Sequence, residues 1–209
     1  RTPLTTIQGM AILLETGSLG KVPEPALALT GNIRARCKQI LDLVNDLLDL
    51  SKLEAGELKC QLQDFSLLNL LEKLNSELKA SKLAISFCSE DLPPCRLKLD
   101  SDRVISALSS LLQIAFVPKE KTVETPEALE TNLSLSDDFL TLSFRSNAPV
   151  QHIDAILREL NGEPGELQAN SSFRVRLPLA RRILLMQNAR LEGASPAEGL
   201  LSIAISFSK

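Results

Sequence analysis

The stretch Ile40–Lys59, ILDLVNDLLDLSKLEAGELK, begins in one periodicity and ends in another. Traced backward, its apolar residues continue a pattern that starts near Pro25: Ile33, Cys37, Ile40, Val44 and Leu47 step by four and three. That is helical spacing, and Leu41, Leu43, Leu48 and Leu50 widen the apolar face. Traced forward from Glu54, the pattern changes. Leu58, Cys60 and Leu62 alternate with polar residues, which predicts a strand. A long helix therefore hands over to a unit that contains a sheet.

Upstream, Leu4, Ile7, Ala11 and Leu14 predict a helix over residues 1–16. The stretch TGSLGKVPEP (Thr16–Pro25), with two Gly and two Pro, predicts a loop. One short and one long helix cannot enclose so broad a stripe, so a four-helix bundle made by two chains is expected. Downstream, the spacing predicts a helix over 67–82 and strands on both sides of the Pro-containing turn in LAISFCSEDLPPCRLKLD. It predicts a helix over 101–117, capped by Ser101 or Asp102. ETNLSLSDDFLTLSFRS, alternating on both sides of its Asp pair, predicts a hairpin. HIDAILREL predicts a short helix, PLARRILLMQNA another, and LLSIAISFS a last strand. The fold class is α+β: a helical hairpin over 1–54, then an α/β sandwich with a mostly antiparallel sheet over 55–209.

Composition excludes several functions. At net charge −3 there is no electrostatic footprint for nucleic acid, and with seven Phe, no Tyr and no Trp a base-stacking platform is not expected. Cys37, Cys60, Cys88 and Cys95 form no C-x-x-C pair, and only His152 could join them, so they read as reduced thiols and no metal site is expected. No apolar run reaches the ~20 residues of a membrane span, so no direct membrane contact is expected of this stretch. The first residue is Arg, and the chain reads as a piece of a longer protein.

Three stretches in order carry a resemblance: RTPLTTIQGM (residues 1–10), Ile40–Lys59, and LKLDSDRVISALSSLL (Leu97–Leu112). Together they resemble the transmitter module of a sensor histidine kinase, in which a dimerising helical hairpin precedes a gyrase/Hsp90-like ATP-binding domain. The resemblance implies a phosphoacceptor histidine just before Arg1, outside this sequence. His152 lies in the second domain and reads as a surface or capping residue. The resemblance also implies a homodimer that docks a response-regulator receiver domain or a partner kinase, in the cytoplasm, with any membrane anchor outside this stretch. Thr2 matches a position where the family often has a Thr or Asn that orients water for dephosphorylating a regulator.

The implied nucleotide boxes depart from the family pattern. In SLLQIAFV, Ser110 and Ile114 stand where two Asn are expected, one of them a Mg²⁺ ligand, and Val117 stands for a basic residue. Isoleucine has no oxygen to offer a hard cation. In SNAPV, Ser146 replaces the Asp that accepts from adenine, and Ala148 and Val150 replace glycines. A β-branched residue is costly wherever a positive φ was needed. In SFRVRLPLARR, Ser172, Arg174 and Arg176 replace the glycines of a phosphate loop, and the alternation reads as an extended segment. The expectation is a pseudokinase that takes no cofactor and acts as a dimeric scaffold. The alternatives are an ATP-independent phosphotransfer or phosphatase module, and an active kinase that uses ATP and Mg²⁺ through atypical boxes. The two arginines, Arg174 and Arg176, also suggest an anion site in the same cleft.

Overall fold

A computed structural model describes residues 2–18, 20, 22–79, 81, 83–87, 94–117, 127–163 and 171–208. The chain divides into two compact units, Arg1–Leu58 and Lys59–Lys209.

The first unit is a helical hairpin of α1 (Thr2–Glu15) and α2 (Glu24–Glu54). Pro25 sits in the first turn of α2, where its missing N–H costs nothing. The far end of α2 stops within Ile40–Lys59. Gly56 adopts φ +69°, its N–H donates to Leu53 O, and Glu57 N–H donates to Lys52 O. These are the two bonds of a Schellman cap, which needs a residue without Cβ strain at that position. Between the helices lie buried Ala11, Thr30 and Cys37, and Arg34 Nη1 meets Glu15 Oε2 at 3.2 Å. The stripe read from the sequence splits in two. Cys37 turns inward, while Ile33, Ile40 and Leu47 remain 46–53% exposed.

The second unit runs β1 (Gln63–Ser66), α3 (Leu67–Lys79), β2 (Leu83–Ser86), β3 (Arg96–Leu99), α4 (Ser101–Ala115), β4 (Glu127–Leu135), β5 (Phe139–Arg145), α5 (Ile153–Leu160), α6 (Ser171–Met186), β6 (Arg190–Ala194) and β7 (Ser202–Ser208). β1 pairs antiparallel with β3. The main sheet has the order β2-β4-β5-β7-β6, with only β2–β4 parallel. Alternation decides its core. On β5, Leu140, Leu142 and Phe144 are buried and sit opposite buried Phe207, Ile205 and Ile203 of β7. The reverse face carries Thr141, Ser143, Ala204 and Ser206, with Thr141 and Ser206 sharing a 2.8 Å hydrogen bond. Leu67, Leu70, Leu71, Leu74 and Leu78 of α3 are buried on one stripe, as helical periodicity requires.

Three sequence expectations are corrected and one strand is added. Residues 57–62 form no strand; the ladder starts at Gln63, because the pairing partner Leu99 ends β3 there. The cap of α4 is Asp100, whose Oδ1 accepts from Arg103 N–H at 3.2 Å. The segment 172–177 is not extended: α6 begins at Ser171 and contains Pro178. Burial of Leu177, Leu179, Ala180 and Leu184 outweighs the local signal. β6 is an additional strand. Its Gly193 has no Cβ, and one placed there would lie 2.7 Å from Leu157 and 2.8 Å from Leu160, so α5 can press onto the strand.

Candidate functional site

Helix α4 is apolar enough to be buried on most sides, and it carries Ser109 and Ser110 into the interior. Each hydroxyl is satisfied by a neighbour, as burial demands. Gln113 Nε2 donates to Ser109 Oγ at 2.8 Å, one helical turn away. Arg176 Nη2 donates to Ser110 Oγ at 3.0 Å, from the second turn of α6. The first-box and third-box positions thus touch through a guanidinium. Ile114 is buried, 9% exposed, as part of the apolar surface of α4.

The second box follows β5. Ser146 is 2% exposed and exchanges two hydrogen bonds with Leu201 at the start of the β7 segment. Its N–H donates to Leu201 O at 2.9 Å, and its Oγ accepts from Leu201 N–H at 3.0 Å. The hydroxyl therefore extends the β5–β7 ladder by one rung. Val150 N–H donates to Gly199 O at 2.8 Å, and its side chain is buried. Among the described residues the only non-glycine positive φ values belong to His152 and Asn188, so neither Ala148 nor Val150 carries the strain the sequence suggested. Gln151 N–H donates to Val117 O at 3.0 Å and so joins the second box to the end of the first.

The three boxes come together, then, through Ser110–Arg176 and Val117–Gln151. The side chains of Ser172 and Arg174 lie outside the described part, as does that of Thr2, whose backbone opens α1. His152 is exposed, adopts φ 58° and ψ 30°, and caps α5 through its carbonyl, which accepts from Ile156 N–H. Histidine is one of the residues that tolerate this conformation. Cys37 is buried and free, Cys60 and Cys95 are half-buried and free, and Cys88 lies outside the described residues. Among the described residues no group of three or more His, Cys, Asp or Glu converges as a metal site would require. A groove of about 380 Å³ lined by Lys73, Ser76, Glu77, Asp102 and Ile105 contains none of the positions singled out from sequence.

The hairpin offers a different surface. Ile7, Met10, Leu29, Ile33, Ile40, Leu47 and Leu48 are all more than two-fifths exposed. Ile33, Ile40 and Leu47 recur every seven residues, the spacing of a helix seam.

Residues 1–56 match the His Kinase A (phospho-acceptor) domain. A histidine kinase of Acinetobacter baumannii, AdeS, has the same fold along all of the chain: 18% identity, TM-score 0.62, with 100% of this chain and 95% of that one covered. The catalytic domain of the histidine kinase ThkA superposes with TM-score 0.52 at 12% identity, covering 71% of this chain and 96% of that one. The chain has the fold of a sensor histidine kinase transmitter module. Among curated proteins, the transmitter is 29% identical over 178 residues to the sensor protein DivL of Caulobacter vibrioides, covering 79% of this chain and 22% of DivL. It spans about a fifth or less of the length of the curated relatives it matches. Among the described residues of the transmitter, no helix is long and apolar enough to cross a membrane.

Proposed function

We propose that this transmitter is a pseudokinase scaffold. Its hairpin pairs with a second copy to form a four-helix bundle, and the bundle docks a response-regulator receiver domain or a partner kinase in the cytoplasm. The second unit keeps its fold without using Mg-ATP. The observation that carries this reading is the Arg176–Ser110 hydrogen bond. A Mg²⁺ site asks for oxygen ligands and the negative charge of phosphates. Here a cationic guanidinium is bonded to the first-box serine, and Ile114 has no donor atom. Ser146 Oγ accepts a backbone N–H of its own sheet, from Leu201. A phosphate cradle needs free backbone N–H groups at a loop, whereas residues 172–176 lie within α6. The groups present do not fit Mg-ATP.

The dimer half of the proposal rests on the exposed seam of α2. Mixing the purified chain with candidate receiver domains, with and without millimolar Mg-ATP, tests the whole. The expected result is one complex of unchanged affinity in both conditions. A complex that forms only with ATP, or phosphate transferred from ATP to the receiver, contradicts it.

The match of residues 1–56 to a phospho-acceptor domain favours a second reading: phosphotransfer or phosphatase action without ATP. There Thr2 would orient water, and Thr2→Ala would slow dephosphorylation of an already phosphorylated receiver. Equal rates in both proteins leave the scaffold reading alone.

A further inference from the structure

Asp100 gathers three separate segments at the start of α4. Its Oδ2 accepts from Gln61 N–H at 2.9 Å, in the segment that leads into the second unit. Its Oδ1 caps α4 through Arg103 N–H, and Arg103 Nε lies 3.5 Å from Oδ2. Its own N–H donates to Gln187 Oε1 at 2.9 Å, immediately after α6. Asp100 is 8% exposed and Gln187 is 7% exposed. Gln187 Nε2 is buried without a hydrogen-bond partner.

The other end of the same helix pair is pinned by Arg176 and Ser110. Ser110 follows Asp100 by ten residues, and Arg176 precedes Gln187 by eleven. At 1.5 Å per residue the two pins lie roughly 15 Å apart along α4 and roughly 16 Å apart along α6. The helices run in opposite directions with matched rungs. A shift at one pin along the helix axis therefore strains the other, because packed helices slide as rigid bodies and close-packed interiors do not deform continuously.

We propose that Asp100 couples the lead-in segment 59–62 to the α4–α6 pair, so that displacing Gln61 loosens the Ser110–Arg176 contact over the three boxes. Asp100 acts as a positioning residue in this device; it touches no ligand. The coupling does not depend on whether the boxes bind a nucleotide.

Amide hydrogen exchange on the full chain tests this. Asp100→Ser keeps a hydroxyl that caps α4 but is too short to hold Gln61. It should speed exchange in the first half of α6 by roughly tenfold, the loss of one buried hydrogen bond felt at a distance, with β5 and β7 unchanged. Coupling is reciprocal, so Arg176→Ala should speed exchange of the Gln61 amide by a similar factor. Gln61→Pro removes only the donor and leaves the cap, and so serves if Asp100→Ser folds poorly; it should reproduce the α6 effect. Effects confined to residues 59–63 in Gln61→Pro, or an unchanged Gln61 amide in Arg176→Ala, overturn the proposal.

Discussion

In the hairpin, Ile33, Ile40 and Leu47 stand 46–53% exposed along one seam, whereas in the α/β unit Leu140, Leu142, Phe144, Ile203 and Ile205 are fully buried. The first region leaves a row of apolar side chains facing solvent. The second completes its own core. Packing and ligand chemistry are separable because they occupy different positions. The core residues sit on the inner face of the sheet and the buried faces of α3, α4 and α6. The box residues sit at the helix pair and strand ends, where Ser110, Ser146 and Arg176 satisfy one another or the backbone.

The sharpest way to break this contrast is to damage the self-sufficient unit. Leu142→Ala removes a fully buried side chain from the middle of β5 and should cost about 3 kcal/mol. Denaturant unfolding should show an earlier transition for the sheet signal while the chain stays dimeric. Loss of the dimer at the same denaturant concentration would mean that the two regions are not independent in this sense.

Next in size is the seam. Ile40→Lys combined with Leu47→Lys removes two apolar side chains from the pairing surface, about 1.5 kcal/mol each. Because both chains of a dimer carry the pair, sedimentation should show dimer affinity falling by well over ~100-fold, with the melting of the α/β unit unmoved. A dimer that survives unchanged would place the interface on another face.

Smaller is the pin between boxes. Ser110→Ala leaves the Arg176 guanidinium short of one acceptor and should cost about 1 kcal/mol. Thermal melting should drop by a few degrees, and the variant should gain no response to Mg-ATP. Smallest is Glu15→Gln at the hairpin ion pair, whose partners are 22% and 50% exposed. It should change stability by less than about 0.5 kcal/mol, and that difference should vanish at high salt.

Much of this architecture was legible in the residues. The four-and-three step of Ile33, Cys37, Ile40, Val44 and Leu47 and the alternation of β5 and β7 are strong periodic signals whose local and tertiary preferences agree. The start of α6 was not legible. Phe173–Leu179 alternates and contains Pro178, so local pattern favoured an extended chain, and only packing of Leu177, Leu179 and Ala180 in the core reverses it. β6 was missed because RLEGA holds two charges and a glycine; its reason is the close approach of Leu157 and Leu160, which no local pattern records. The candidate site was half legible. The residue types at Ser110, Ile114, Ser146 and Arg176 could be read directly. That Ser146 is spent on Leu201, and that Arg176 turns onto Ser110, are tertiary facts.

The most direct test of the central claim is thermal melting of the purified chain across a Mg-ATP titration. A ligand held at a hundredfold excess over its Kd stabilises the folded state by about 2.7 kcal/mol. The melting temperature should stay unchanged up to millimolar Mg-ATP. A saturable rise, abolished by Ser146→Ala or enlarged by Arg176→Gly, would contradict it and restore this unit as a nucleotide-binding domain.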